Sequence, residues 1–209
     1  MRSVSFIRAL IVLHREYRKF PLRARVHILI RFLTSPFLRV MGHVPPGANL
    51  LDIGAGHGVF SVLARERGAY PTAVDPDARK VRRLGGVQSV IGYDDCLRGT
   101  FDVVAIVDVL YKMPITEWDA LLERVRQRLK PGGILIVKEH DPTARVKHFI
   151  NRLQEKLASA LHLTLGESFT YETPEDFTAR LQSHGFTPVK TARIDAGYPH
   201  PHMLYVARL

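Results

Sequence analysis

The chain reads as an α/β protein with a doubly wound, mostly parallel sheet, and three observations carry that reading. From residue 49 onward, short apolar runs alternate with helix-patterned segments, as in successive β-α-β units. One run, Phe101 to Val107, is apolar almost throughout, as a strand buried on both faces must be. The third is the junction Leu50-Leu51-Asp52-Ile53-Gly54-Ala55-Gly56-His57-Gly58, where an apolar run and an acid feed a turn with glycines at alternate positions. In such sheets ligands bind at the carboxyl ends of the strands, so the residues just beyond each apolar run bear on function.

The elements follow in order. Over residues 3–20, Phe6, Leu10, Leu13 and Tyr17 fall on one helical face, while Arg8, Arg15, Arg18 and Lys19 gather roughly opposite. Pro21 ends that segment or opens the next. Leu22, Val26, Leu29 and Leu33 form a second stripe over 22–34, until Pro36 interrupts it. Pro45-Pro46-Gly47 marks the passage from this basic helical appendage, residues 1–45, into a body spanning 46–209. The pattern then predicts strands over 49–53, 71–75, 87–91, 101–107 and 134–137, with helices over 58–67 and from Asp77. Thr116, three residues before Asp119, is expected to cap a helix running to about Leu129, after which Pro131-Gly132-Gly133 turns the chain. Val146, Phe149, Ile150, Leu153, Leu157 and Leu161 predict a helix over 143–162, within a lid-like insertion at 143–172. Thr173 caps the last helix, with Pro174 at its first position and Gly185 at its end. Two closing strands, 187–194 and 202–208, are joined by a short Gly/Pro/His-rich link that suits an antiparallel pair.

At 209 residues the chain is long enough for one sizeable core. A single cysteine, Cys96, excludes an intrachain disulfide and any multi-cysteine zinc site, and it suits a reducing cytoplasm. No apolar run approaches the ~18 residues of a spanning helix, and Arg8 inside the first apolar stretch argues against a cleaved signal peptide. The net charge of +10 is unevenly held. In the first 44 residues nine Lys/Arg (Arg2, Arg8, Arg15, Arg18, Lys19, Arg23, Arg25, Arg31, Arg39) stand against Glu16 alone, a balance of +8 that leaves +2 for the rest.

The glycine turn separates two ligand classes. A dinucleotide fingerprint would place its third glycine at position 59, which is Val59. Asp52 would repel a pyrophosphate and attract an ammonium. Together they point to a cationic, phosphate-free nucleoside. This pattern is similar to the first motif of class I S-adenosylmethionine-dependent methyltransferases. With Pro36-Phe37 and the closing His202-Met203-Leu204-Tyr205-Val206, the chain also resembles a bacterial group of that family with unassigned acceptors. The resemblance implies a Rossmann-like sheet of seven strands with the last antiparallel, S-adenosyl-L-methionine as cofactor and S-adenosyl-L-homocysteine as product. Its specific motifs lie between about residues 50 and 140.

Cofactor contacts are expected from Asp52, from Gly54, Ala55, Gly56 and His57 in the turn, and from Asp75 with Pro76. Asp75 ends the second strand, 23 residues after Asp52, where an acid can accept hydrogen bonds from both ribose hydroxyls. Its alternative role is a helix cap. His57 is read as lining the pocket in preference to catalysis. In Gly92-Tyr93-Asp94-Asp95 the resemblance implies an acid on the adenine amino group, with Asp94 preferred to Asp95. At the exit of the fourth strand, where the family's fourth motif flanks the methyl group, Asp108 is expected on the cofactor or acceptor, and Tyr111 on the acceptor or under the next helix. Lys130-Pro131-Gly132-Gly133 is frequent in the family but serves as a turn. Glu139 and His140 leave the fifth strand facing the acceptor, and His140 has the intrinsic pKa best suited to a general base. Tyr198 and His200 belong to the pocket rim. His200 and His202 could ligate a metal with His140, but no wider His/Cys framework supports one and methyl transfer requires none, so no metal is expected. No catalytic residue is fixed; Asp108, Tyr111 and His140 are the candidates.

The reaction implied by the resemblance is in-line displacement at the sulfonium methyl, to which the protein contributes alignment and exclusion of water. The expected acceptor is a small or lipid-like molecule. The basic amphipathic segment would lid the site or rest on an anionic membrane surface, giving a cytoplasmic protein with peripheral contact at the inner membrane face. An RNA or DNA methyltransferase gripping phosphates with its basic arm is the alternative. Against it, the arm is rich in Ile, Leu and Phe in helical register, and the fourth strand's exit lacks an Asn/Asp-Pro-Pro-aromatic motif. A non-catalytic S-adenosylmethionine-binding protein is the least favoured reading, since the glycine turn and Asp75 are intact. No obligate protein partner is inferred.

Overall fold

The computed structural model describes residues 4–80, 84–92, 99–141 and 171–209. Three helices come first: α1 (Phe6–Tyr17), α2 (Leu22–Thr34) and the short α3 (Phe37–Met41). They are followed by β1 (Asn49–Ile53), α4 (Val59–Glu66), β2 (Tyr70–Asp75), β3 (Gln88–Ile91) and β4 (Phe101–Val107). Then come α5 (Trp118–Arg128), β5 (Leu129–His140), α6 (Pro174–Ser183), β6 (Thr187–Arg193) and β7 (His202–Arg208).

The strands form one seven-stranded sheet in the order β3-β2-β1-β4-β5-β7-β6. β1 to β5 pair in parallel, and β7 lies antiparallel between β5 and β6. The doubly wound sheet and its antiparallel member match the expectation from sequence. β1 and β4 are neighbours although β2 and β3 intervene in the chain, so the winding reverses between them. That switch point opens a crevice at their carboxyl ends.

Side chains alternate across the strands and divide the core into two layers. Leu50, Val103, Ala105, Val107 and Ile136 pack with Leu13, Tyr17, Phe32, Phe37 and Phe60 from the first four helices. Leu51, Ile53, Val104, Ile106, Leu135 and Val137 face the other way, onto Trp118, Leu122, Phe177 and Leu181 of α5 and α6. Each fully buried side chain of this size contributes about 1.5–3 kcal/mol. The N-terminal helices therefore share the core of the sheet.

Local structure departs from expectation in several places. In α2 the buried residues are Ile28 and Phe32, while Leu22, Val26, Leu29 and Leu33, the stripe read from spacing, are exposed. Two apolar stripes share this helix, and the aromatic one faces inward, with Phe32 stacked on Phe6 at 5.4 Å between ring centroids. Thr116 lies inside a 3₁₀ turn, Ile115–Glu117, and caps nothing. α5 starts instead at Trp118, whose indole N–H donates to the Leu110 carbonyl at 3.1 Å and pins the helix start. Pro131-Gly132-Gly133 is a bulge within β5, whose pairing with β4 jumps from Phe101↔Leu129 to Val103↔Ile134. After Asp77 the described residues 78–80 form a turn in place of the expected helix start. Thr173 does cap α6, its hydroxyl accepting from the Asp176 N–H at 3.2 Å. The helix expected over 143–162, Asp94 and Asp95 lie outside the described residues.

Candidate functional site

β1 delivers the chain into a turn at 54–58 whose three glycines have φ of +67°, +57° and +71°. L-residues with a Cβ are strained there, so the alternate glycines answer a backbone requirement. A Cβ on Gly54 would come within 2.5 Å of Val109 Cγ2, which shows how closely the β4 exit presses on the turn. At Gly56 a Cβ would meet the Arg31 guanidinium at 3.1 Å. At its three glycines the turn presents bare backbone.

Asp75, at the end of β2, clasps this turn. Its Oδ2 accepts the Gly56 N–H at 2.8 Å and its Oδ1 the Asp77 N–H at 2.9 Å. Each oxygen keeps further lone-pair capacity for a ligand hydroxyl. Pro76 follows it on the surface. The Tyr17 hydroxyl donates to the His57 carbonyl at 2.5 Å, so α1 holds the far side of the turn. The His57 ring lies 5.6 Å from that of His27. Burial, reinforced by neighbouring cations, lowers both imidazoles to about 4 and keeps them neutral near pH 7. Asp52 lies in a narrow crease with Arg31, Gly54 and Ala55. Its Oδ2 also accepts the Ser61 hydroxyl at 2.6 Å, and burial raises its carboxyl to about 7.

Across the crevice, Asp108 is the one non-glycine among the described residues with positive φ, +61°. Strained backbone of this kind persists where surrounding contacts over-determine it, and here they do. Lys138 Nζ bonds Oδ1, while the Ser35 hydroxyl donates to Oδ2 at 3.4 Å and Arg31 Nη2 stands 3.7 Å from Oδ2. Burial alone would raise this carboxyl, but the Lys138 ammonium, with Arg31 nearby, outweighs it and holds Asp108 well below the ordinary carboxylate range. Asp108 is thus a fixed negative charge and a poor proton acceptor. Glu139 Oε1 accepts the N–H groups of Val109 and Leu110 at 2.9 and 2.8 Å, which fixes the loop that covers Gly54. Burial, with the nearby Asp108 charge, raises Glu139 to about 7.

The antiparallel register of β5 and β7 sets His140 directly opposite His202. Their rings are 5.3 Å apart, with Tyr111 at 4.9 Å and His200 at 6.0 Å from His140. Tyr111 also stacks on Tyr171 at 6.0 Å, and Tyr198 lies 6.1 Å from His202 under the Arg39 guanidinium. Tyr111, His140, His200 and Tyr198 therefore come together as an aromatic wall beside Asp108. Burial, with Lys138 next, lowers His140 well below the ordinary imidazole value. His202 donates from Nε2 to the Thr34 carbonyl at 2.9 Å and is lowered to about 3, again chiefly by burial. Ligand atoms of Asp108, His140 and His202 lie within 4.8 Å of one another, a spacing a divalent ion can use. The Lys138 ammonium already supplies the cation at Asp108.

Arg31 and Ser35 escaped the sequence reading. Finding them required knowing that the Ile28–Phe32 stripe faces inward, because that choice alone carries Arg31 over the turn and Ser35 to Asp108.

A seven-stranded doubly wound sheet with antiparallel β7, and a triple-glycine turn clasped by an acid from β2, define the nucleoside-binding architecture of class I S-adenosylmethionine-dependent methyltransferases. A family model described as a methyltransferase domain matches residues 25–191, and the chain belongs to that family. S-adenosyl-L-methionine is its cofactor, and the bare cradle at Gly54–Gly58 with Asp75 fits it. Among curated relatives, the ubiquinone biosynthesis O-methyltransferase of Xylella fastidiosa (strain M23) is 34% identical over 103 residues, 44% of this chain and 41% of that protein. That of Xanthomonas campestris pv. campestris (strain B100) is 33% identical over 104 residues, 44% and 43% of the two chains. The matched stretch thus spans about two fifths of those relatives. Among solved structures, Burkholderia thailandensis 1,6-didemethyltoxoflavin-N1-methyltransferase, with 1,6-didemethyltoxoflavin and S-adenosylhomocysteine bound, is similar at TM-score 0.65 and 19% identity, covering 100% of this chain and 92% of that one. Magnesium protoporphyrin IX methyltransferase from Synechocystis PCC 6803, with S-adenosylhomocysteine bound, follows at 0.62 and 18%, covering 95% and 93%. These structural likenesses are of fold.

Proposed function

We propose that the chain moves the methyl group of S-adenosyl-L-methionine to a hydroxyl of a small or lipid-like acceptor, with His140 as the general base. The observation that carries this is the pairing of His140 with Asp108. A buried imidazole held neutral stands 3.7 Å, Nε2 to Oδ1, from a carboxylate held ionised, at the strand ends beside the glycine turn. The bound cofactor supplies a methyl group already activated by its sulfonium. His140 takes the hydroxyl proton as the acceptor oxygen bonds the methyl carbon, and the carbon–sulfur electron pair stays on sulfur. Asp108 is the neighbour that raises His140 against burial and the Lys138 charge, and it stabilises the imidazolium so formed. Asp75 and Glu139 hold the two loops between which this occurs, and the wall of Tyr111, Tyr198 and His200 gives an aromatic or lipid-like acceptor an apolar, edge-polar surface. The curated relatives, named as ubiquinone biosynthesis O-methyltransferases, are consistent with a hydroxyl acceptor.

Two measurements test this. In titration calorimetry S-adenosylhomocysteine should bind the wild type, and Asp75→Ala should weaken it at least tenfold. In a labelled-methyl screen over small-molecule, lipid and RNA extracts, label should enter the first two. His140→Ala should lower kcat about 10²-fold or more and leave cofactor affinity within about twofold. No S-adenosylhomocysteine binding, or label confined to RNA, would sink the proposal.

A further inference from the structure

Most of the large apolar side chains that the described residues leave exposed lie on α1 and α2, where Ile7 is 71% and Leu22 70% exposed. Ile7 and Ile11 share the outer side of α1 with Arg15 and Arg18, and Val26, Leu29 and Ile30 share that of α2. Between the two helices runs an apolar groove of about 380 Å³. Beyond these helices, the exposed large apolar residues among the described ones are the scattered Tyr70, Ile91 and Val189. A concentration of this kind on one helical pair marks an interaction surface.

The charges on that surface have one sign. Arg15, Arg18, Lys19 and Arg23 are exposed, and none has a carboxylate partner among the described residues. Glu16, the only acid in the first 44 residues, is turned inward, where it pairs with Arg65 at 3.2 Å and accepts the Gly85 N–H at 2.5 Å. The outer face is therefore apolar and cationic at once. A nucleic acid would satisfy the cations and waste the apolar side chains. A second copy docking symmetrically would satisfy the apolar side chains and oppose like charges. An anionic bilayer surface satisfies both, with isoleucines and leucines at the acyl boundary and arginines among the headgroups.

We infer that the outer face of the α1–α2 pair docks on an anionic lipid bilayer. Among the described residues no helix is long and apolar enough to cross one, so the helices lie in the interface plane. The inner sides of the same helices carry Tyr17 and Arg31, which touch the glycine turn and the β4 exit. One helix layer, about 10 Å across, thus separates lipid from the cofactor cradle. Docking stands apart from the methyl-transfer reading, since it can hold or fail without it.

Flotation of the full chain with vesicles tests the inference. The wild type should rise with equimolar phosphatidylglycerol and phosphatidylcholine, and at least tenfold less with phosphatidylcholine alone. Ile7→Asp with Ile30→Asp, and separately Arg15→Glu with Arg23→Glu, should each lose at least tenfold in vesicle affinity with unchanged circular dichroism. Val189→Asp, an exposed apolar residue on β6, should float like the wild type. If a double variant misfolds, Ile7→Gln and Arg15→Gln carry the same expectation with smaller losses. The inference is overturned if the wild type fails to float, if the variants float as well as it does, or if Val189→Asp loses as much. A wild-type dimer that Ile7→Asp with Ile30→Asp splits, or binding to RNA but not to vesicles, overturns it in favour of a second copy or a nucleic acid.

Discussion

Lys138 is wholly buried and sets its ammonium against Oδ1 of Asp108, while the Asp108 N–H donates to the Lys138 carbonyl at 2.9 Å. The two residues are thus tied twice, through backbone and side chain, at the point where β4 and β5 end. Burial pulls the lysine below its ordinary value, with Asp108 opposing, and the lysine in turn is the largest influence keeping Asp108 ionised against burial. Removing one partner leaves the other as an uncompensated buried charge. Lys138→Met should therefore cost about 3–5 kcal/mol of stability in urea unfolding. Combined with Asp108→Asn it should cost clearly less than the two single changes together. Costs that add within about 0.5 kcal/mol would show that the residues are not coupled.

Glu139 works through the loop it holds. Its Oε1 accepts two backbone N–H groups, from Val109 and Leu110, and Val109 is the residue packed on Gly54. Glu139→Gln keeps a carbonyl oxygen for both donors and should leave the thermal midpoint and S-adenosylhomocysteine affinity near wild type. Glu139→Ala strands both N–H groups and should cost about 1–3 kcal/mol, with weaker cofactor binding in calorimetry. Equal losses in the two variants would mean that the carboxylate charge, not its acceptor role, matters.

The sheet was legible because its central strands, β1 and β4, are largely apolar runs that feed polar strand ends, and the cofactor turn because three glycines stand at alternate positions after one of them. Asp75, Asp108 and His140 were named as candidates by the rule that ligands meet strand ends. What stayed hidden depended on long-range choices. Leu22, Val26, Leu29 and Leu33 are as well spaced as the pair that is buried, so spacing alone could not orient α2, and with it Arg31 and Ser35. Thr116 has the right local chemistry for a cap, but the Trp118 indole bond to Leu110 decides where α5 begins. The facing of His140 and His202 follows from a strand register that nothing in either segment specifies.

Gly54 offers a test of the cradle itself. Alanine there meets two obstacles, a φ of +67° and a Val109 methyl 2.5 Å from the new Cβ. The backbone part costs about 1–2 kcal/mol, and the clash adds to it. Gly54→Ala should lower the thermal midpoint and abolish measurable S-adenosylhomocysteine binding. Adding Val109→Ala removes the clash but not the strain, so it should recover part of the stability and little of the binding. Full recovery of both would mean that the turn tolerates a side chain and the cradle argument is wrong.

Two sets of buried groups pull stability in opposite directions with pH. His27, His57 and His202 are lowered by burial to about 4, 4 and 3 from an ordinary 6.5. Between those values the folded chain binds fewer protons than the unfolded one, so their contribution is present above 6.5 and is lost as pH falls. Asp52 and Glu139, raised by burial to about 7, do the reverse. The folded chain holds their protons where the unfolded chain has released them, so their contribution is present below the ordinary carboxyl range and is lost as pH rises toward 7. His140 and His43 are lowered as well, so the histidines outnumber the acids and stability should decline on acidification from neutrality. Asp52→Asn deletes an opposing group and should steepen that decline in urea unfolding followed across this window, whereas His57→Gln should make it shallower. An Asp52→Asn profile no steeper than wild type would mean that Asp52 titrates in the ordinary carboxyl range. Its bond to Ser61 would then be that of a fully charged acid, available at every physiological pH to meet the ammonium end of the cofactor.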